Sequence, residues 1–142
     1  MDAKEYLTEV AAIRFKLKTI DNEIKEMIDM SQSAGAMDYS RERVMGGEES
    51  QLPSFSKMLE KIDIKLEEYE AMRVEYVETS ERALKQIHML SDGIDMNVIY
   101  EKFFENKTLK KIAKEMYFSF DSVYYHYKKG LKEFNARKLW EA

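Results

Sequence analysis

Hydrophobic residues recur with helical spacing at the start of the chain. Between Ala3 and Met30 they alternate four and three positions apart, which is the a/d seam of a coiled coil. No Gly or Pro interrupts this stretch. The pattern predicts one long helix whose apolar stripe must be buried against a partner. The stripe consists of Tyr6, Val10, Ile13, Leu17, Ile20, Ile24 and Met27.

A similar seam continues from about Ser54 to about Leu90 and predicts a second long helix. Arg73 and Ser80 interrupt it in register, and they either set the register or face solvent. The two helices predict an antiparallel helical hairpin over residues 1–92. At about 35 residues against about 28, the second helix is predicted to be the longer, which leaves apolar surface for a homodimer or for the C-terminal module. The apolar seam positions are Leu59, Ile62, Leu66, Tyr69, Tyr76, Ala83, Ile87 and Leu90.

Breakers collect between the two seams, at Gly35, Gly46, Gly47 and Pro53. They predict a long loop over about 31–54, with room for a short helical turn at 38–44. Two arginines in that turn, at positions 41 and 43, either contact a partner or are solvated. No strand precedes the paired glycines and no Lys-Ser or Lys-Thr follows them, so the pair does not form a phosphate-binding loop.

The pattern of caps and apolar residues over 93–142 predicts a small three-helix module. Asp95 is a candidate cap for the first helix, which runs to about Phe104 and is followed by a turn at 105–107. Thr108 can cap a second helix from Leu109 to Met116, and Ser119 can cap a third that begins at Phe120. The last helix has its buried stripe at Val123, Tyr127, Leu131 and Phe134, and the layer beneath it consists of Val98, Ile99, Phe103 and Phe104. Two short helices joined by a tight turn form a helix-turn-helix, whose second helix can enter the major groove of DNA.

The charge of the chain is divided unevenly. The net charge is −4, but between Lys102 and Trp140 ten cations face four anions, a local charge of +6 that leaves −10 for the rest. A basic module on an acidic body suits phosphate binding, because attraction depends on the local field. The same lysines are alternatively ordinary solvated residues on helical faces.

Composition excludes several other classes of protein. Without cysteine the chain has no disulfides or thiolate metal sites, which fits a reducing cytoplasm. No apolar run approaches the roughly 20 residues of a membrane span, and the N-terminus lacks the apolar centre of a signal peptide. His88 and His126 have no cysteine or paired carboxylate near them in sequence and are interpreted as core or boundary residues. We therefore predict no enzymatic activity, no cofactor, no metal and no membrane contact.

The C-terminal module resembles the fourth region of bacterial sigma factors, which reads the upstream promoter element. The matching residues are Thr108, Leu109, Ile112, Ala113, Glu115, Met116, Ser119, Val123, Lys128 and Leu131. The whole chain, from Met1–Leu7 at its start through Arg43–Gly46 in its middle, is also similar to a family of small phage proteins of Gram-positive bacteria. The C-terminal part of that family is related to ArpU-like late transcription regulators. One position departs from the sigma pattern, because Tyr117 occupies the turn position usually held by Gly or Asn. A positive φ is costly for a bulky residue, so the turn has another geometry or tolerates strain.

These resemblances imply a phage or prophage transcription regulator in the cytoplasm of a bacterial host. It would bind double-stranded DNA, and the hairpin would dimerise the protein or contact host RNA polymerase. The residues expected at DNA are Thr108, Lys110, Lys111, Ser119, Phe120, Asp121, Ser122, Tyr124, Tyr125, Lys128, Lys129 and Lys132. The lysines would neutralise phosphates. Tyr124 and Tyr125 would hydrogen-bond phosphates or base edges, pack against thymine methyl groups, or pack against the hairpin.

Two other functions fit the same pattern. A DNA-packaging adaptor of the small-terminase kind also combines a helix-turn-helix with helical oligomerisation elements. A protein-interaction module that docks on RNA polymerase without reading DNA would explain why the expected reading positions lack arginine.

Overall fold

The described part of the chain is all-α, as the sequence predicts. A computed structural model describes residues 1–44 and 52–142, in which no strand occurs. The elements are α1 (Ala3–Val44), α2 (Leu52–Ile87), α3 (Gly93–Phe103), α4 (Leu109–Met116), α5 (Phe120–Ala136) and a 3₁₀ turn (Leu139–Glu141). None of the helices in these ranges combines the length and the apolar character needed to cross a membrane.

The predicted loop over 31–54 is corrected at both of its ends. Helix α1 continues to Val44, and helix α2 already begins at Leu52. Between Ser31 and Val44 only one glycine, Gly35, opposes the helix, and a single interior Gly costs only about 1 kcal/mol. Pro53 lies in the first turn of α2, where a missing backbone N–H breaks no helical hydrogen bond. The paired glycines of the prediction lie at 46–47, outside the described residues.

Helix α1, with 42 residues, is longer than α2, with 36. The prediction that the second helix is the longer is therefore wrong, because the sequence reading ended the first helix where its apolar seam fades. Surplus apolar surface on the second helix therefore no longer supports a homodimer. A homodimer and a hairpin over 1–92 remain predictions.

The chain divides into two compact units, one made of Met1–Lys16 with Tyr76–Ala142 and the other of Leu17–Glu75. In the second of these, which we call the middle unit, the buried apolar residues are Ile20, Ile24 and Ile62. Arg73 Nε lies 2.7 Å from Asp21 Oδ1, and a hydrogen bond to Glu23 raises the pKa of the Tyr69 phenol. The residue numbers of the partners on α2 decrease as those on α1 increase, so the helices run antiparallel within this unit.

The other unit, which we call the terminal unit, also pairs the two long helices in opposite directions. The Tyr6 hydroxyl donates a hydrogen bond to Gln86 Oε1, and Arg14 Nη1 donates to Ser80 Oγ at 2.9 Å. Of the two polar seam positions, Ser80 is buried against Arg14, whereas Arg73 is exposed and pairs with Asp21. All the other seam residues are buried or half-buried, which confirms the predicted stripes.

Helices α3, α4 and α5 share one hydrophobic core with the ends of the long helices. The last seam residues of α2, among them Ala83 and Ile87, are buried in the same cluster as the predicted stripe of α5. Gly130 lies where α5 crosses α3, and a Cβ atom there would come within 2.9 Å of Ile99 Cγ1. Trp140 stacks on Phe134 with ring centroids 6.3 Å apart, in keeping with its predicted role in packing. Helix α5 therefore has one face buried in this core and the opposite face in solvent.

Candidate nucleic-acid interface

Two side-chain caps fix the N-terminal ends of α4 and α5. Thr108 Oγ1 accepts a hydrogen bond from the Lys111 backbone N–H at 3.2 Å. Ser119 Oγ accepts one from the Ser122 backbone N–H at 3.1 Å. Each cap satisfies a backbone donor that would otherwise lack a helical partner. Both caps agree with the sequence prediction, and they give these two residues a structural role.

The connection between α4 and α5 turns at Tyr117. This residue adopts a left-handed conformation, with φ 58° and ψ 36°, and its side chain is 95% exposed. Its backbone N–H closes the end of α4 on the carbonyls of Ala113 and Lys114. Of the two outcomes foreseen for this position, the structure therefore has the strained one. Because the side chain is exposed, packing does not offset the cost of this conformation. The turn is therefore a candidate functional position.

Helix α5 separates its residues cleanly into two faces. Val123, Tyr127, Leu131 and Phe134 are buried, as the stripe predicts. The opposite side exposes Phe120 by 45%, Tyr124 by 44% and Tyr125 by 60%, while Asp121 is also exposed and Ser122 is half-buried. We refer to Phe120, Asp121, Tyr124 and Tyr125 as the reading face. Both tyrosines therefore lie on the exposed side of α5, away from its buried stripe.

The aromatic rings of the reading face are ordered along the helix. The Phe120 and Tyr124 rings stack with centroids 6.2 Å apart and an interplanar angle of 17°. Lys128 continues the same stripe one turn later, with Nζ 5.4 Å from the centre of the Tyr124 ring. Aromatic surface therefore occupies the N-terminal half of the exposed stripe, and positive charge occupies its C-terminal half.

The expected phosphate-binding lysines differ in their surroundings. Lys110, Lys111, Lys128 and Lys132 are exposed, and no acidic side chain of the described residues forms an ion pair with them. Lys114 on α4 is equally exposed, and sequence reasoning missed it although it lies one helical turn after Lys110. These five ammonium groups are therefore open to an external anion.

Lys129 differs from the other expected lysines. Its Nζ lies 2.8 Å from Asp92 Oδ2 and 3.5 Å from Asp95 Oδ2. Hydrogen bonding to Lys129, together with the backbone N–H of Ile94, lowers the pKa of Asp92 to about 2. The charge of Lys129 is balanced inside the protein, so its assignment to phosphate binding loses support.

A polar cluster of Asp92, Asp95, His126 and Lys129 joins the start of α3 to α5. The buried Asp95 places Oδ1 2.6 Å from His126 Nδ1, while Asp92 caps α3 by accepting from the backbone N–H groups of Ile94 and Asp95. The predicted cap at Asp95 is therefore wrong, since the helix begins three residues earlier than expected. His126 is half-buried, as predicted for a boundary residue.

The carboxylates and the imidazole of this cluster bring their ligand atoms within 4.8 Å of one another. This spacing would suit a metal ion, but the Lys129 ammonium already lies against both carboxylates. The arrangement is a network of ion pairs and hydrogen bonds, and we assign it the structural role of holding α3 and α5 together.

Two further basic residues of the C-terminal region are also paired. Lys107 Nζ lies 2.6 Å from Glu101 Oε2 and 2.8 Å from Glu115 Oε2, and Arg137 lies 2.6 Å from Glu133 Oε2. The side-chain bonds to Glu101 and Glu115 raise the pKa of Lys107. These pairs reduce the number of cations open to a ligand, but they leave the exposed lysines of α4 and α5 untouched.

Comparison of the chain with known protein families, with curated proteins and with solved structures found no match.

Proposed function

We propose that this protein is a DNA-binding transcription regulator that inserts α5 into the major groove of double-stranded DNA. The observation that carries the proposal is the exposed face of α5, a capped helix that follows α4 after a three-residue connection. In a helix-turn-helix the N-terminal part of the second helix contacts base edges. The reading face occupies this part of α5, and its side chains extend into solvent.

The exposed lysines supply the second element that such a protein needs. Lys110, Lys111 and Lys114 on α4, with Lys128 and Lys132 on α5, are exposed, and no acidic side chain of the described residues forms an ion pair with them. Contacts of this kind to phosphates fix the orientation of a protein on DNA and carry most of its salt-dependent affinity. The local positive field thus offsets the overall charge of −4.

The resemblance to sigma factor region 4 and to ArpU-like proteins narrows the proposal to promoter DNA of a phage or prophage. It also suggests host RNA polymerase as a protein partner. A homodimer is proposed separately, from the coiled-coil seams of the two long helices. A symmetric dimer would bind two half-sites one helical turn, about 34–36 Å, or a multiple of it apart. The promoter and the polymerase depend on the resemblance alone.

DNA binding is tested by selecting duplexes from a random-sequence pool and titrating the best site across a salt series. Removing two phosphate contacts with Lys110→Gln plus Lys128→Gln should reduce the slope of log K against log salt by about 2. The matched control is Lys61→Gln plus Lys65→Gln on α2, which makes the same charge change at exposed positions of the middle unit. The control should bind like the wild-type protein.

The proposal fails if no duplex is enriched at low salt, or if both double variants change binding equally. The oligomeric mass, measured on the same sample, tests the homodimer separately. A ring of many subunits would favour a packaging adaptor instead.

A second function is favoured by one observation, the exposed and strained Tyr117. A side chain that is 95% exposed suits contact with a protein surface, such as that of RNA polymerase. Tyr117→Gly removes the ring and relieves the backbone. If that variant keeps full affinity for DNA but loses activity in a transcription assay, the turn serves a protein partner.

A further inference from the structure

The reading face lacks the side chains that recognise purines in the major groove. Guanine is usually read by Arg or Lys, and adenine by Asn or Gln, through paired hydrogen bonds. Positions 120, 121, 122, 124 and 125 hold Phe, Asp, Ser, Tyr and Tyr. The first lysine of the exposed stripe, Lys128, lies two helical turns after the start of α5 and leans over the Tyr124 ring.

What the reading face offers instead is apolar aromatic surface. Phe120 and Tyr124 stack side by side, and nearly half of each side chain is open to solvent. In the major groove the apolar feature that distinguishes one base from another is the C5-methyl group of thymine. Exposed aromatic area of this size is unfavourable in water and becomes favourable when it covers such methyl groups.

Asp121 adds a preference for a base that offers a hydrogen-bond donor. It is exposed beside the aromatic pair, in the first turn of α5, and forms no ion pair with the described residues. A carboxylate accepts hydrogen bonds but donates none, so it matches the amino group of cytosine N4 and repels phosphates. The unpaired lysines lie on α4 and on the later turns of α5, where they would contact the backbone rather than the bases.

We infer that the protein recognises pyrimidines in the major groove, reading thymine through its C5-methyl group with Phe120 and Tyr124. Tyr125, which is 60% exposed, extends the same apolar surface along the groove. This inference rests on the proposed DNA-binding function and names the base edges that the site takes. The preferred sites carry adjacent thymines on one strand.

The experiment uses the full-length protein and a duplex selected from the random pool. Affinity is measured for the thymine form and for the same duplex with uracil in place of every thymine of the site, which removes only the methyl groups. Each contacted methyl should contribute about fourfold in affinity, so two of them predict a loss of about fifteenfold. A duplex with uracil only in the flanking sequence should bind unchanged.

A protein variant tests the same contact from the other side. Phe120→Ala plus Tyr124→Ala should bind the thymine and uracil forms alike, whereas Ile64→Ala, at an exposed apolar position of α2, should retain the difference. Both altered α5 residues are partly exposed, and circular dichroism establishes that the variant is folded. A 5-methylcytosine placed at an adjacent site position should bind more tightly than cytosine.

The outcomes distinguish a failure of methyl recognition from a failure of DNA binding. Equal affinity of the wild-type protein for the thymine and uracil forms overturns methyl recognition while leaving DNA binding intact, and it reassigns the aromatic surface to a protein partner. The absence of duplex binding at any salt concentration overturns the proposed function and this inference together.

Discussion

Replacing Tyr117 by glycine should stabilise the terminal unit. The residue adopts φ 58°, a conformation that costs an L-residue roughly 1–2 kcal/mol but costs glycine almost nothing. Glycine loses about 0.5–1 kcal/mol more backbone entropy on folding. Because the ring is 95% exposed, its removal forfeits almost no buried surface. The balance predicts a gain of about 0.5–1 kcal/mol in the free energy of unfolding.

The assay is urea denaturation followed by the fluorescence of Trp140, the single tryptophan of the chain. Its ring stacks on Phe134 in the core of the terminal unit, so the signal reports the unit that contains the turn. With a slope of about 2 kcal/mol per molar urea, the predicted gain corresponds to a midpoint increase of about 0.25–0.5 M.

Two control variants isolate the backbone contribution. Tyr117→Ala removes the ring but keeps a Cβ in the left-handed region, and its midpoint should equal that of the wild-type protein. Asn106→Gly acts on another positive-φ position, φ 53°, where asparagine already tolerates the conformation, so a smaller gain is expected. A Tyr117→Gly midpoint at or below that of the alanine variant would refute the argument from strain.

Three further predictions concern the core and the ion network. Gly130→Ala should destabilise the protein by about 1 kcal/mol, because overpacking against Ile99 outweighs the better helix propensity of alanine; an increase in the urea midpoint would contradict this. Arg14→Met should cost about 1–3 kcal/mol in the same assay, since it removes the donor to a buried serine hydroxyl on α2. The lowered pKa of Asp92 predicts stability that is present above about pH 4 and is lost as the pH falls towards 2. Asp92→Asn keeps the helix cap but not the charge pair with Lys129, so denaturation midpoints measured between pH 4 and pH 2 should decline less steeply.

Local sequence patterns were sufficient for the helices and for most of their buried faces. The stripe of α5 from Val123 to Phe134 and the caps at Thr108 and Ser119 depend on neighbours within four residues, so spacing alone predicts them. The limits of α1 were harder to predict, because its seam ends near Met30 while weak helix formers continue the helix to Val44. Periodicity reports which side of a helix is buried more reliably than where the helix stops.

The candidate site was only partly predictable. Exposure of Phe120, Tyr124 and Tyr125 follows from their position opposite the stripe, and the structure agrees. The pairing of Lys129 with Asp92 was not foreseen, since these residues are 37 positions apart and meet only because α5 packs on α3. A count of charges in the sequence therefore cannot distinguish a lysine that is paired within the fold from one that is open to a ligand.

What the sequence by itself determined is therefore local: an all-α chain, the inward faces of its helices and an exposed aromatic face on α5. Tertiary structure decided which charges remain open to a ligand, which aspartate caps α3 and that Tyr117 takes a strained turn. The physical reason is that caps and stripes are satisfied within one or two helical turns. Ion pairs and close helix crossings instead require partners that only folding brings together.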